Sequence, residues 1–429
     1  MKRKVFSVFI VCLLIIILST GCGTSGGNNA QTKDDETPAE KYSVGFTQAE
    51  DSADGYATVY VPSDREAKVL LLADPQLDPT QKYSIVGSYN ELTLVFLDKF
   101  LDSTEPDLVI IAGDVVMSAL LNCWPYFCQI ADIFEGKQIP WTFTFGNHDC
   151  ENEYVSEDAT TTSPLLQMTK PNFIEEVNAK YDYCLIYSGE CEDGYGNHVV
   201  NVRNTKGELL NTFINLDCAY DGDSYSHVIT QAQTEFYVDA VESLSEKEGR
   251  TIPSIVVTHV ALPQTFIAYN EAKNGAGNSA YYYGELLEGD YSKYADKTPF
   301  FDELLRLGST KAVFFGHHHG NDASVEYKGV RLTFIQHSGM SHEYRTDHSK
   351  EYKLNWPEDT VFDFSAVDVY GDRRGGVLVS VKQDATYTFE PIYAAEVIPD
   401  YSTWAIDYEA VAQKIISERG AQYVIRGKN

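Results

Sequence analysis

Five apolar runs in this chain each stop at a side chain that can hold a cation or move a proton. In order these are Asp74 with Gln76, Asp114, Asn147 with His148, His259, and His317 with His319. Carboxylates and the neutral carbonyl oxygens of Asn and Gln suit hard divalent ions, imidazole suits borderline ions such as zinc, and histidine can also give up a proton near neutral pH. The densest ending is Gly146-Asn147-His148-Asp149, which closes the apolar and aromatic run of residues 141–145. There Asn147 offers an oxygen, His148 a ligand or a proton, and Asp149 a means of orienting either. Alone the tetrapeptide is a weak signal, because Gly-Asn also serves ordinary turns. A single histidine at a strand end, such as His259, is likewise more often a satisfied loop residue. Five such endings on strands of a shared sheet put the donors along one edge, where α/β sheets bind ligands.

The elements that must position these groups are legible as patterns. Residues 68–73, 107–112 and 141–145 read as buried strands, and helical periodicity over 90–101 (Leu94, Phe96, Leu97, Phe100, Leu101) and 118–134 lies between them. This is a βαβαβ unit and makes the chain α/β. Farther on, residues 183–186, 198–203, 212–216, 252–258, 311–315, 324–327, 331–336, 377–381 and 387–391 read as strands, and 230–244, 300–307 and 403–419 as helices. The glycine-, asparagine- and tyrosine-rich stretch 269–294 has no clear period and reads as a loop or lid. There is no internal repeat and no second domain boundary.

At 429 residues with 43% hydrophobic content, the chain can bury a sizeable core. Its 63 acidic and 33 basic residues give a net charge of -30, which argues against nucleic acid or bare anionic membrane as a partner through bulk charge. Bound cations could still reverse the field locally and admit an anionic substrate. Residues 1–22 read as an address: Met1-Lys2-Arg3-Lys4 is basic, residues 5–18 are apolar, and Ser19-Thr20-Gly21 leads into Cys22. This resembles a bacterial lipoprotein signal that would lipidate Cys22, although Ser19 stands where leucine is usual. The expected location is therefore extracytoplasmic, at a membrane reached only through the lipid. Residues 23–45 read as a flexible tether, 46–400 as the catalytic domain and 401–429 as a C-terminal helix and tail. Six further cysteines could pair in an oxidising exterior, with Cys123 and Cys128, and Cys184 and Cys191, as near-sequence candidates.

The ordered blocks Asp74-x-Gln76, Gly113-Asp114, Gly146-Asn147-His148-Asp149, His259 and Gly316-His317-His318-His319 resemble the five-block pattern of the calcineurin-like metallophosphoesterases. The nearest branch is that of purple-acid-phosphatase-like enzymes, and the resemblance spans residues 68–381. It implies a sandwich of two mixed β-sheets flanked by helices. It also implies two metal ions, manganese, iron or zinc. One would be held by Asp74, Asp114 and His319 with Gln76 as a possible fourth ligand, and the other by Asp114, Asn147, His259 and His317. Asp114 would then be the bridge, suited to cations about 3.5–4 Å apart. His148 takes the place of a proton donor or phosphate ligand. The chain departs from the family at Gln76, where histidine is usual; a neutral amide oxygen is a poorer donor for zinc or ferrous iron.

His318 should point away from its flanking ligands. His337, His342 and the pair Arg373-Arg374 lie where this branch has late glycine-rich and arginine segments and could contact phosphate, with surface charge the expectation for the arginines. The implied activity is hydrolysis of a phosphate ester by metal-activated water, with substrate choice in the loops 152–171 and 269–294. The rival from another class is a surface binding protein that keeps the fold but has lost turnover through a weakened first metal site.

Overall fold

The structure is a computed structural model that describes residues 45–77, 89–117, 123–149, 169–217, 229–275, 277–289, 298–340, 362–363, 373–401, 413, 416–417 and 420–425. Residues 1–22, which read as an address, with the expected lipidation site Cys22, nearly all of the expected tether, most of the expected tail helix, and His342 lie outside these residues.

The strands in chain order are β1 (Gly45–Thr47), β2 (Ala57–Val61), β3 (Ala67–Leu72), β4 (Leu108–Ala112), β5 (Trp141–Thr144), β6 (His198–Asn204), β7 (Leu209–Asn215), β8 (Ser254–Val257), β9 (Ser279–Tyr283), β10 (Thr310–Phe315), β11 (Ser324–Tyr327), β12 (Val330–Phe334), β13 (Phe362–Asp363), β14 (Gly375–Val381), β15 (Tyr387–Tyr393) and β16 (Val424–Ile425). The helices are α1 (Tyr89–Thr104), α2 (Trp124–Lys137), α3 (Lys170–Lys180), α4 (Gln231–Glu248), α5 (Pro263–Lys273), α6 (Phe300–Leu307) and the short α7 (Ala394–Val397). Nine strands form one mixed sheet in the order β1-β2-β6-β7-β8-β10-β12-β11-β9, and five form a second, β15-β14-β3-β4-β5; β13 and β16 pair separately.

Alternation along the strands assigns the layers, because neighbouring side chains in a strand leave opposite faces. From β3 and β4, Leu70, Leu72, Val109 and Ile111 pack with Phe96, Phe100, Phe127 and Phe134 of α1 and α2. Their neighbours Val69, Leu71, Leu108 and Ile110 pack with Val257, Ala312 and Phe314 of the other sheet. On the far side Ile214, Val256, Val313 and Phe315 meet Tyr237, Leu244, Phe266 and Phe301 of α4, α5 and α6. The result is the expected sandwich, helices outside and two mixed sheets within. Strands buried on both faces read as unbroken apolar runs, which is why β3, β4 and β8 stood out in sequence.

Parallel pairing fixes which strand ends lie together. In the five-stranded sheet β3, β4 and β5 are parallel neighbours, with Val69 opposite Leu108 and Val109 opposite Trp141. In the larger sheet β7, β8, β10 and β12 run parallel. The donor-bearing strands do not share one sheet, as the sequence suggested: β3, β4 and β5 belong to the five-stranded sheet and β8 and β10 to the nine-stranded one, and the ends of the two groups meet where His317 N–H reaches Asp74 and His259 reaches Ala112 O.

Some sequence expectations fail. Residues 269–294 are no simple loop: α5 continues to Lys273, with proline in its first turn, and β9 follows as the edge strand of the large sheet. Tyrosine-rich β9 suits a half-exposed pleat, and only 276 and 290–294 of the stretch lie outside the described residues. Residues 183–186 make a single bridge, Cys184 to Trp141, and no strand. Of the loop 152–171, only 169–171 are described: Thr169 caps α3, which begins at Lys170. Cys123, Cys128, Cys184 and Cys191 are all free, so neither expected disulfide is formed. Cys123 precedes α2 and donates to the Asp149 carbonyl at 3.6 Å, while Cys128 packs in the core from the helix itself. Cys150 and Cys218 lie outside the described residues.

Candidate metal centre

The turns after the five strands are bound to one another through their backbones. Asp74 N–H donates to Gly113 O and Gln76 N–H to Asp114 O, each at 3.1 Å, and Gly316 N–H donates to His259 O at 3.0 Å. Two further bonds cross between the sheets: His317 N–H to Asp74 Oδ2 at 2.9 Å, and His259 Nδ1 to Ala112 O at 2.8 Å. Space is short here. A Cβ on Gly146 would sit 2.1 Å from Asp114 Oδ1, and one on Gly113, which has a positive φ of 81°, would sit 2.7 Å from Gly146 N. Asp74, Gln76, Asp114 and His317 themselves have φ of 54°, 44°, 51° and 72°. Non-glycine residues in this region carry strain of roughly 1 to 3 kcal/mol each and cluster at functional sites.

Because Ala112 O fixes Nδ1 of His259 as the donor, Nε2 is the nitrogen left for a ligand role. It faces Asp114 Oδ2 at 3.1 Å and Asn147 Oδ1 at 3.1 Å. Among the described residues, Asp114, His259 and His317 present ligand atoms that all lie within 4.8 Å of one another. On the other side of Asp114, its Oδ2 accepts from Gln76 Nε2 at 3.2 Å, and His319 Nε2 stands 3.4 Å from Asp74 Oδ1. Asp114 thus lies between the two residue sets that the sequence pattern separates. His148 donates its backbone N–H to Asp114 Oδ1 at 2.8 Å, and its ring is partly exposed.

The charges are arranged around Asp114. Burial alone would raise its carboxyl, but the imidazoles of His259 and His148 outweigh burial and hold it well below the carboxylate range. Burial opposes a charge on His259, yet Asp114 and Asp74 bring its pKa up to about 9. Burial, reinforced by the charge of Asp114, pushes Asp149 up to about 7. A cation fits this set. Among the described residues, Asp74 Oδ1 and Gln76 Oε1 are buried with no hydrogen-bond partner, and an unsatisfied buried carboxylate oxygen is costly unless positive charge faces it.

Other sequence candidates fall into different roles. His318 lies edge-on to Phe266 and Phe334, with ring centroids 6.2 and 5.9 Å away. Of the arginine pair, Arg374 is not surface charge but buried, donating to Gly339 O at 2.8 Å, while the partly exposed Arg373 pairs with the buried Asp322 at 2.8 Å. Asp149 orients neither Asn147 nor His148 but the backbone, accepting from Asp114 N and Gly146 N. The sequence reading named His337 without its contact and missed a buried ion pair altogether. His337 stacks on His319, and a buried pair, Lys170 with Asp217, stands beside Phe145.

Comparison with known proteins follows the same lines. The chain is 25% identical over 275 residues to "Probable inactive purple acid phosphatase 14" of Arabidopsis thaliana, covering 58% of this chain and 62% of the relative. It is 25% identical over 265 residues to "Probable inactive purple acid phosphatase 29" of the same plant, covering 56% and 62%. The matched region thus spans about three fifths of these relatives. Among solved structures, GAP50, the anchor in the inner membrane complex of Plasmodium, aligns over 77% of this chain and 89% of its own at 11% identity and a TM-score of 0.41. A dimetal phosphatase from Danio rerio aligns over 76% and 99% at 9% identity and a TM-score of 0.34. The model of the family described as calcineurin-like phosphoesterase matches residues 67–321, more than half of the sequence and all five donor-bearing turns. The chain belongs to the calcineurin-like phosphoesterase family.

Proposed function

We propose that this protein hydrolyses a phosphate ester with two metal ions held at the joined strand ends. The observation that carries the reading is Asp114: one oxygen of a buried carboxylate lies 3.1 Å from His259 Nε2 and 3.2 Å from Gln76 Nε2, and nearby an oxygen of Asp74 has no hydrogen bond among the described residues and faces His319 Nε2 at 3.4 Å. Asp74, Gln76, Asp114 and His319 would hold one ion, and Asp114, Asn147, His259 and His317 the other. Bound there, the pair would polarise phosphoryl oxygens and make a water molecule acidic enough to attack near neutral pH. The chain's own contribution is to keep His259 Nε2 turned inward through Ala112, to supply an uncharged oxygen from Asn147, and to bring His148 to where a leaving oxygen needs a proton. A lipid on Cys22 would place this activity outside the cytoplasm at a membrane surface.

A second reading, a binding protein without turnover, has two observations in its favour. Gln76 is a weak donor at the first site, and the plant relatives carry the word inactive in their names. Metal analysis combined with hydrolysis of chromogenic phosphomonoesters and phosphodiesters separates the readings. Two ions per chain, activity abolished by chelation, and loss of both metal and rate in Asp114→Asn support the enzyme. Two ions with no turnover of any ester support the binding protein, and a chain that takes up no metal overturns both. Labelling with a radioactive fatty acid, lost in Cys22→Ala, tests the anchor.

A further inference from the structure

We infer that His337 is a positioning residue for the first candidate metal site, its imidazole being the flat surface that fixes the ring of His319. The inference rests on the two-metal reading above. The two rings are nearly parallel, 15° apart, with centroids separated by 4.3 Å, and both residues are buried. His319 follows β10 in a turn outside any helix or strand, so its ring direction is set by packing rather than by a regular backbone.

The support beneath it is anchored to the opposite loop. His337 pairs with Ala73 as a parallel bridge. Ser338 N–H donates to Ala73 O at 2.7 Å, and Gly375 N–H donates to His337 O at 3.1 Å. The Ser338 hydroxyl donates to Gly375 O at 2.7 Å and accepts from Ala73 N at 3.0 Å. Gly339 approaches so closely that a Cβ there would lie 2.3 Å from Pro75 O. His337 therefore moves with the turn carrying Asp74 and Gln76, and the stack locks His319 to those two residues. The Asp74 Oδ1 to His319 Nε2 separation of 3.4 Å is held from both sides.

The chemistry favours this use of the ring. An imidazole that gives its lone pair to a cation becomes electron-poor, and an aromatic face beneath it stabilises that state by stacking and by attraction of positive charge to the π-system. Support of this kind matters at the first site because Gln76 offers a neutral amide where imidazole would bind borderline ions more tightly. Groups that orient ligands without touching the metal commonly affect affinity about as strongly as this.

The test uses the full chain, stripped of metal and titrated with zinc and, separately, with cobalt(II), whose visible absorption reports ligand geometry. Wild type should take up two ions. His337→Ala should weaken one of the two by roughly 10- to 100-fold and leave the other unchanged. His337→Gln, which fills the space without an aromatic face, should match the alanine variant, while His337→Phe, which keeps the face, should bind both ions nearly as wild type. Circular dichroism confirms that each variant is folded. If alanine and glutamine variants titrate as wild type, the inference fails while the two-metal reading stands. If phenylalanine is as weak as alanine, a ring nitrogen and not the stack is at work, and the inference fails as well. A wild type that binds fewer than two ions overturns the two-metal reading and the inference with it.

Discussion

The carboxylate of Asp149 holds the backbone of Asp114 in place: its Oδ2 accepts from Asp114 N at 2.9 Å and from Gly146 N at 2.7 Å, and its Oδ1 accepts from Val116 N at 3.1 Å. One buried side chain thereby joins the turn after β4 to the turn after β5, and with them Asp114 to Asn147. In Asp149→Asn the amide nitrogen must face one of these three donors. The expected cost is about 1–3 kcal/mol of stability, from a buried N–H left without an acceptor. Asp149→Ala, which leaves all three N–H groups unmatched, should cost more. Urea unfolding of the metal-free proteins measures both, and an asparagine variant as stable as wild type would mean that the clamp is idle.

A second buried device stands beside Phe145. Lys170 Nζ lies 2.8 Å and 3.0 Å from the two oxygens of Asp217 and 5.3 Å from the Phe145 ring, with both side chains almost wholly buried. Asp217 also accepts from Tyr195 N at 2.9 Å, and Gln233, in the first turn of α4, donates to its carbonyl at 2.8 Å. Removing one partner strands a charge in the interior. Lys170→Met should therefore destabilise by about 3–5 kcal/mol, whereas Lys170→Met combined with Asp217→Leu should recover part of that loss, since apolar replacements of both partners are often tolerated. Thermal unfolding of the two variants decides the point; a double variant less stable than the single one would show that the carboxylate's other bonds outweigh the ion pair.

How much of this was legible follows from where each residue's partners lie. The runs that became β3, β4, β5, β8 and β10 were readable because they are buried on both faces, and their polar endings stood out against them. Lys170 was not, because it fell in the stretch 152–171 read as a substrate loop; only the approach of Asp217 in the folded chain shows it to be interior. His337 was named as a candidate, but its stacking was not legible, because its place under His319 depends on the approach of Ala73 and Ser338, which are 265 residues apart. Asp149 was half legible: its motif marked it as an orienting group, but backbone N–H groups carry no sequence signal, so its true partners were invisible. In residues 269–294, frequent Gly and Asn hid the end of α5, and the tyrosines of β9 resembled a lid because an edge strand is only half buried.

Acid should weaken the fold through His198. Its Nδ1 donates to Gly196 O at 2.7 Å and its Nε2 is 2.7 Å from Thr142 Oγ1, all in the interior. Burial, only partly opposed by the Gly196 bond, brings its pKa down to about 4 from the ordinary 6.5. The unfolded chain therefore binds a proton below pH 6.5 that the folded chain refuses until about pH 4, so stability is complete above that window and falls as pH drops through it. The loss should approach about 3 kcal/mol at the lower end. His198→Asn keeps a donor for Gly196 and removes the titration. The difference in unfolding free energy between wild type and this variant, taken from pH 7.5 to pH 4, isolates the effect from that of other groups; a difference that does not change with pH would rule the assignment out.

Position 76 allows a direct comparison with the family pattern. Gln76 Nε2 donates to Asp114 Oδ2 at 3.2 Å, which turns Oε1 the other way, and among the described residues that buried oxygen has no hydrogen-bond partner. An amide so placed is held by the carboxylate that the two ions would share and would present its oxygen as a neutral ligand. Gln76→His replaces that oxygen with a nitrogen donor, which should raise affinity for zinc and iron(II) more than for manganese, since imidazole suits borderline ions and amide oxygen suits hard ones. The same change removes the amide's bond to Asp114, so the gain at the first site should come with some loss of order around the shared carboxylate. Competition of zinc against manganese, read by metal content and by ester hydrolysis at each ratio, separates contact from distant support. A shift toward zinc is expected if Oε1 touches the ion. Superimposable curves for wild type and variant would instead make Gln76 a hydrogen-bond partner of Asp114 alone.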